Sequence, residues 1–294
     1  MELHQLRYLV AVGRTGNFSR AAEQCHVAQP SLSQQIAKLE SELGERLFDR
    51  LKTCTRPTAA GLALIRRAGR ILAEVDAAQR DAAEARGLAR GQVAVGVLPT
   101  IAPYFLPHAL PEFRRQYPGV ELVIQEDTTA RLLQLLSACE LDLAIASLPI
   151  ADERMATEIL FSEELKVALP PGHRLARRRR IEVADLESER FILLQEGHCL
   201  GDQVLSFCTR RDFRPNVLCR GTQIETLRAL VRAGMGISLL PAMACPDTPA
   251  DRRIYRRLGP PSPQRTIAAV WLAARPPGRA ATAFLKHLRT VTAR

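Results

Sequence analysis

Phe18-Ser-Arg-Ala-Ala-Glu-Gln-Cys-His-Val-Ala-Gln-Pro-Ser-Leu-Ser-Gln-Gln-Ile-Ala-Lys-Leu39 reads as two short helices that cross. Ser19 is placed to cap the first, and the small pair Ala21 and Ala22 lets a second helix approach closely. Val27 is an inward turn position. Pro30 suits the first turn of the second helix, where its missing amide has no helical partner to lose. Leu32, Ile36 and Leu39 then recur on one helical face. The other face presents Gln29, Ser31, Ser33, Gln34 and Lys38, groups matched to phosphate oxygens and base edges in a major groove. The pattern predicts a helix-turn-helix that docks on double-stranded DNA, with an ordinary helix pair of a bundle as the open alternative.

Outward from this motif, Leu3 to Ala85 carries apolar residues three and four apart almost throughout, broken at Gly44 and at Thr53 to Thr58, which holds Pro57. Gly44, Leu47, Phe48, Arg50 and the Thr55 to Gly61 turn form a short wing. Its cations Arg50, Lys52 and Arg56 are positioned to neutralise backbone phosphates without reading sequence. Residues 61–86 read as one long helix with Leu62, Ile65, Ala68, Leu72, Val75 and Ala82 on an apolar stripe. That stripe must be buried, against a second copy of the chain or against its own domain.

After the Gly87 to Gly91 hinge, short apolar runs alternate with helical segments: Val93–Val97, Leu122–Gln125, Leu141–Ala146, Leu165–Ala168, Phe191–Leu194, Ile237–Leu240 and Ile267–Trp271. This rhythm predicts α/β units around a largely parallel sheet, with the sole Trp, Trp271, in the core. The expected division is a DNA-binding domain over 1–60, a linker helix and hinge over 61–90, and an effector domain over 91–294. Within the last, subdomain I takes about 91–162 and 268–294, and subdomain II about 163–267.

The chain has 294 residues, enough for two or three cores, and a net charge of +10. Residues 1–90 hold 14 Lys and Arg against 10 Asp and Glu, so the excess is spread along the chain and does not locate a DNA site. No apolar run reaches the roughly 18 residues that span a bilayer, and no signal-peptide order is present, so a cytoplasmic protein without a membrane partner is expected. Seven scattered cysteines, an odd number, fit a reducing compartment better than a secreted disulfide framework. Arg177 to Arg180 reads as a solvated loop, with DNA or RNA polymerase as the less favoured partners.

Residues 193–208, Leu-Leu-Gln-Glu-Gly-His-Cys-Leu-Gly-Asp-Gln-Val-Leu-Ser-Phe-Cys, place Cys199 and Cys208 nine positions apart. Gly197 allows a turn after the strand, so Cys199 opens a helix, where exposed amides and the macrodipole favour a thiolate. Cys199 is therefore the candidate nucleophile. In one unbroken helix the two cysteines stand ~13 Å apart along the axis on roughly opposite faces, whereas a disulfide needs Cα atoms within about 7 Å. Asp202 can orient nearby donors and His198 can hydrogen-bond a ligand. On residues alone, a metal site and two buried small hydrophobes stay open as alternatives, the first with poor ligand spacing.

From Leu6 to Gly61 the order and spacing of Phe18, Ala21, Ala22, Gln29, Pro30, Ser31, Ser33, Leu39, Glu40, Leu43, Gly44, Leu47, Phe48, Arg50, Thr58 and Gly61 resemble the DNA-binding domain of LysR-type transcription regulators. The resemblance implies a winged domain, a dimerising linker helix and an effector module of two Rossmann-like subdomains, α/β overall and like a periplasmic binding protein. The Gly197, His198, Cys199, Leu200, Asp202, Gln203, Phe207 and Cys208 pattern is similar to the redox segment of the family's peroxide-sensing OxyR branch. Further matches are Pro99, Thr100, Pro103, Tyr104, Leu106 and Pro107, Thr129 with Leu132 and Leu133, Glu225 to Leu227, and Arg265 with Thr266.

By that resemblance Cys199 is the peroxidatic cysteine and Cys208 the resolving one, with Thr100, Thr129, His198, Asp202 and Arg265 lining the peroxide pocket. It also implies a tetrameric homo-oligomer, hydrogen peroxide as signal, RNA polymerase as partner, a glutaredoxin- or thioredoxin-type reductant, activation of oxidative-stress genes, and neither metal nor cofactor. Gly201, often basic in the branch, and residues 209–220 depart from the pattern, and Cys139, Cys219 and Cys245 add thiols. A receptor for a small organic anion with an unreactive Cys199, and a stoichiometric peroxide scavenger, are the competing expectations.

Overall fold

Asn17, not Ser19, caps the first helix of the motif: its side chain accepts the amides of Ser19 at 2.8 Å and Arg20 at 3.1 Å. Ser19 falls two residues too late, inside the helix. The computed structural model describes residues 1–50, 55–84, 91–178, 180–195, 197, 199–246, 248, 254–260 and 262–292, without the side chains of 50, 76, 77 and 79–84. The chain divides into two compact units, Met1–Gly87 with Ser137–Glu140 and the remainder.

The first unit runs α1 (Leu3–Thr15), α2 (Phe18–Gln24), α3 (Gln29–Leu43), β1 (Phe48–Arg50), β2 (Thr55–Pro57) and α4 (Ala59–Glu84). Leu6, Leu9 and Val12 of α1 meet Ala21 and Ala22 of α2 and Leu32, Ile36 and Leu39 of α3 in one buried cluster. Each large aliphatic side chain so buried contributes roughly 1.5–3 kcal/mol. The β1–β2 hairpin is the wing, with Asp49 opposite Arg56. It is tied to α3 by Glu40, whose Oε1 accepts the amides of Leu47 at 2.7 Å and Phe48 at 3.2 Å. Gly61 lies so close to the wing that a Cβ there would sit 2.0 Å from Leu47 O, which only glycine avoids. On the long helix α4, Ala68 is buried, and Leu64, Ile65 and Leu72 pack against the same cluster. Leu62 of the stripe stays 48% exposed, so the chain's own domain covers only part of it, and Ile71, 39% exposed, lies nine positions on and so on roughly the opposite face.

The second unit runs β3 (Gly91–Val97), α5 (Ala102–Gln116), β4 (Val120–Glu126), α6 (Thr129–Ser137), β5 (Leu143–Ser147), β6 (Met155–Ala168), β7 (Arg190–Leu194), α7 (Cys199–Thr209), β8 (Asn216–Gly221), α8 (Ile224–Arg232), β9 (Ser238–Pro241), β10 (Tyr255–Arg257), β11 (Gln264–Leu272) and α9 (Arg279–Thr292). Every strand expected from an apolar run is present. The expectation of a largely parallel sheet is corrected: among the described residues of this unit β3–β4, β3–β5 and β7–β8 are parallel ladders, while β11–β5, β11–β6, β6–β9 and β6–β10 are antiparallel. The physical reason is the path of the chain, which leaves one hydrophobic core along β6 and returns along β11 in the opposite sense.

Two cores result. Val93, Val95, Ile145, Phe113 and Phe284 belong to the first, and Phe191, Leu193, Leu239, Val204 and Leu227 to the second. Met155 at one end of β6 lies in the first core, and Leu165 and Val167 at the other end lie in the second. β8 and β10 gave no apolar run because each is partly exposed and polar, and Trp271 of β11 is half-buried instead of belonging to either core. Among the described residues no helix is long and apolar enough to cross a membrane.

Candidate functional site

α7 runs unbroken from Cys199 to Thr209, so the two cysteines occupy its opposite ends, ~13 Å apart along the axis. They also belong to different cores. Cys199, half-buried, packs against the first, whereas Cys208 is fully buried in the second. Gly201 lets α7 sit tightly over the end of β7, since a Cβ would fall 2.7 Å from Leu194 O. A basic side chain at this position would therefore push the helix away.

Arg265 on β11 is the largest fully buried side chain of the chain's described part. Its Nη1 donates to Thr100 Oγ1 at 3.0 Å and its Nη2 to Thr100 O at 3.1 Å, just before α5 begins. Its Nε donates to Glu163 Oε1 at 2.8 Å, an ion pair whose side chains are 0% and 8% exposed. Glu163 is the cross-strand partner of Arg265 in the β6–β11 register, and its Oε2 also accepts Met243 N at 2.9 Å. The guanidinium is thus locked in place and neutralised.

Three groups favour a Cys199 thiolate: the Arg265 charge, the Thr129 hydroxyl at the start of α6, and the Leu200 amide. Burial opposes them and wins, so the Cys199 thiol is pushed up from its ordinary range, and Asp202 adds to that direction. The Leu200 amide acts in the direction expected of a helix start, but desolvation of the sulfur outweighs it and the other donors. Thr129 Oγ1 is buried and faces the Cys199 sulfur, with no other hydrogen-bond partner among the described residues. Cys208 is pushed up to about 11 by burial.

The structure gathers Cys199, Thr100, Thr129 and Arg265 in one place, with Asp202 exposed on the first turn of α7. His198 lies outside the described residues. Sequence reasoning missed Glu163, and it named Gln203 without giving it a role. Gln203 Nε2 donates to Ser147 Oγ at 2.8 Å and to Leu148 O at 3.0 Å, pinning α7 to the end of β5. A longer strand reading of Phe161, Glu163 and Leu165, alternating on one face, was the available signal for Glu163.

In the first unit, Gln29, Pro30, Ser31, Gln34 and Lys38 are exposed along α3 and Ser33 is half-exposed, on the side away from Leu32, Ile36 and Leu39. Arg56 is exposed on the wing; Lys52 and the side chain of Arg50 fall outside the described residues.

Two family models match the chain: the bacterial regulatory helix-turn-helix protein, lysR family, over residues 3–62, and the LysR substrate binding domain over residues 86–293. It is 39% identical over 272 residues to a hydrogen peroxide-inducible genes activator of Pectobacterium carotovorum subsp. carotovorum, covering 92% of this chain and 90% of that protein. A full-length OxyR variant of Pseudomonas aeruginosa superposes with a TM-score of 0.80 at 33% identity, covering 98% of this chain and 95% of that one. A hydrogen-peroxide-bound OxyR mutant of Corynebacterium glutamicum superposes with a TM-score of 0.64 at 30% identity, covering 99% and 91%.

Proposed function

This chain belongs to the LysR family of DNA-binding transcription regulators, and we propose that within it the chain is an activator of oxidative-stress genes that senses hydrogen peroxide through Cys199 and Cys208. The observation that carries this reading is the setting of Cys199: first residue of α7, beside a buried, fixed guanidinium and a buried hydroxyl that faces its sulfur.

The Cys199 thiolate attacks one oxygen of hydrogen peroxide. An S–O bond forms as the O–O bond breaks, and the departing hydroxide takes a proton to leave as water. Arg265 and the hydroxyls of Thr100 and Thr129 stabilise the charge on that oxygen; the family resemblance adds Asp202 and His198 to the residues that meet the peroxide. Cys199 is then a sulfenic acid. The Cys208 thiolate attacks its sulfur, the S–S bond forms, and the sulfenic oxygen leaves as a second water after protonation. Two electrons from a glutaredoxin- or thioredoxin-type dithiol restore the pair.

Because each sulfur is anchored to a different core, closing this bond requires α7 to unwind, which converts oxidation into a rearrangement of the two subdomains. α3 of each protomer enters a major groove through Gln29 to Lys38, with Arg50, Lys52 and Arg56 of the wing on phosphates. A tetramer, assembled partly through the exposed stripe of α4, spaces these helices on a pseudo-palindromic site. Contact with RNA polymerase rests on the family resemblance. An organic-anion receptor has less support, since Glu163 already neutralises the cation such a ligand would need.

Mass spectrometry before and after dilute peroxide tests the reading. A Cys199–Cys208 linked peptide is expected in the wild type, a sulfenic acid without that link in Cys208→Ser, and no transcriptional response in Cys199→Ser. An unmodified Cys199, or a Cys199→Ser variant that responds like wild type, sinks it.

A further inference from the structure

The paired strands β6 and β11 have two faces, and successive side chains alternate between them. Glu163 and Arg265 form the buried pair beside Cys199. Glu164 and Gln264, one residue away and paired in the same register, instead line a cavity of about 510 Å³ on the opposite face. Its other walls are Arg180, Arg257, Leu258, Pro260 and Ser262.

The backbone forces cations together here. Ile181 N donates to Arg257 O at 3.2 Å and Gly259 N to Ile181 O at 2.7 Å, a parallel bridge that sets Arg180 beside Arg257. The β10–β6 register then sets Arg257 opposite Lys166. Three cations occupy neighbouring positions of one cross-strand row, an arrangement that destabilises a sheet unless counter-charge is supplied. Glu164 Oε2, 3.6 Å from Arg257 Nε, supplies one charge, and neither Arg180 nor Lys166 has an ion pair among the described residues. Ser262 Oγ is buried with no hydrogen-bond partner among the same residues.

We propose that this cavity is a second ligand site, for a small phosphate-bearing metabolite whose phosphate is held by Arg180, Arg257 and the Ser262 hydroxyl. The guanidinium forks match phosphate oxygens, and after Glu164 and Glu182, whose carboxylate stands beside Gly259, the three cations keep one positive charge for an anion to balance. The volume exceeds that of a bare phosphate, leaving space for an organic part whose hydroxyls Glu164 and Gln264 can meet. The site is independent of the peroxide reading. Standing behind the strands that carry Glu163 and Arg265, an occupant would brace them from the side away from Cys199.

Thermal denaturation and calorimetry of the full-length protein titrated with inorganic phosphate, against potassium chloride of equal ionic strength, test the proposal. A saturable rise in Tm is expected. Half-saturation should move at least about tenfold in Arg180→Ala/Arg257→Ala, the loss expected for a charge-assisted pair, and should be unchanged in Arg114→Ala, an exposed control on α5. Ser262→Ala, which keeps every charge and serves if the double variant fails to fold, should weaken binding as well. No saturable response in the wild type, or one equally strong in the double variant and in Ser262→Ala, overturns the assignment.

Discussion

Cys199 is held between opposing influences: burial keeps the proton on its sulfur while Arg265, Thr129 and the Leu200 amide favour removing it. Glu163 decides how much of the Arg265 charge the sulfur feels. Replacing it by Gln keeps an acceptor for Met243 N but unmasks the guanidinium, so the thiolate fraction at neutral pH should rise. Alkylation of Cys199 near pH 7 is expected to be severalfold faster in Glu163→Gln in a Cys208→Ser background; an unchanged rate would deny Glu163 this role. Cys208 makes a separate prediction. Its thiol ordinarily titrates near 9 but is pushed up to about 11 when folded, so the unfolded chain ionises first. The protection is complete below pH 9 and is lost as pH rises toward 11, for about 2–3 kcal/mol in all. Urea midpoints from pH 8 to 11 should therefore fall more steeply in the wild type than in Cys208→Ala. At this scale Arg265 and Thr100 were legible through a family pattern, but Glu163 was not. It lies 102 positions from Arg265, and only strand register makes them neighbours.

Helices of the first unit were legible because their signals are local. Pro30 in the first turn of α3 and the Leu32, Ile36, Leu39 spacing need no distant partner to be read. The cap was misassigned to Ser19 because Ser and Asn are equally good caps, and the choice rests on where the chain turns. Asn17→Ala should cost about 1 kcal/mol in chemical denaturation, while Ser19→Ala should cost a few tenths at most. Gly61→Ala should cost more than either, since its added methyl meets the backbone of Leu47 and not a movable side chain. Equal stability of all three variants would show that neither the cap nor the close approach matters. β6 illustrates the opposite limit: only Leu165–Ala168 read as a strand, yet the strand begins at Met155. Its first part alternates between faces of unequal exposure, and the partner that satisfies it, β11, is a hundred residues later.

For the whole molecule, the long helix α4 keeps Leu62 exposed while Leu64, Ile65, Ala68 and Leu72 pack on their own domain. Sedimentation of Leu62→Glu should show a smaller assembly than wild type with unchanged secondary structure, and weaker DNA binding at equal protein concentration; an unaltered assembly would remove this stripe from the interface. The amino-acid order by itself determined what depends on neighbours a few positions apart: the helix-turn-helix, the long linker helix, the alternation of strands and helices, and a cysteine at the start of α7. Tertiary structure alone decided the mixed sheet, the neutralisation of Arg265 by Glu163, the anchoring of Cys199 and Cys208 in separate cores, and the row of cations behind β6 and β11. Those features arise from pairing register and from the passage of β6 and β11 between two cores, and no local periodicity records which distant residue a strand will lie beside.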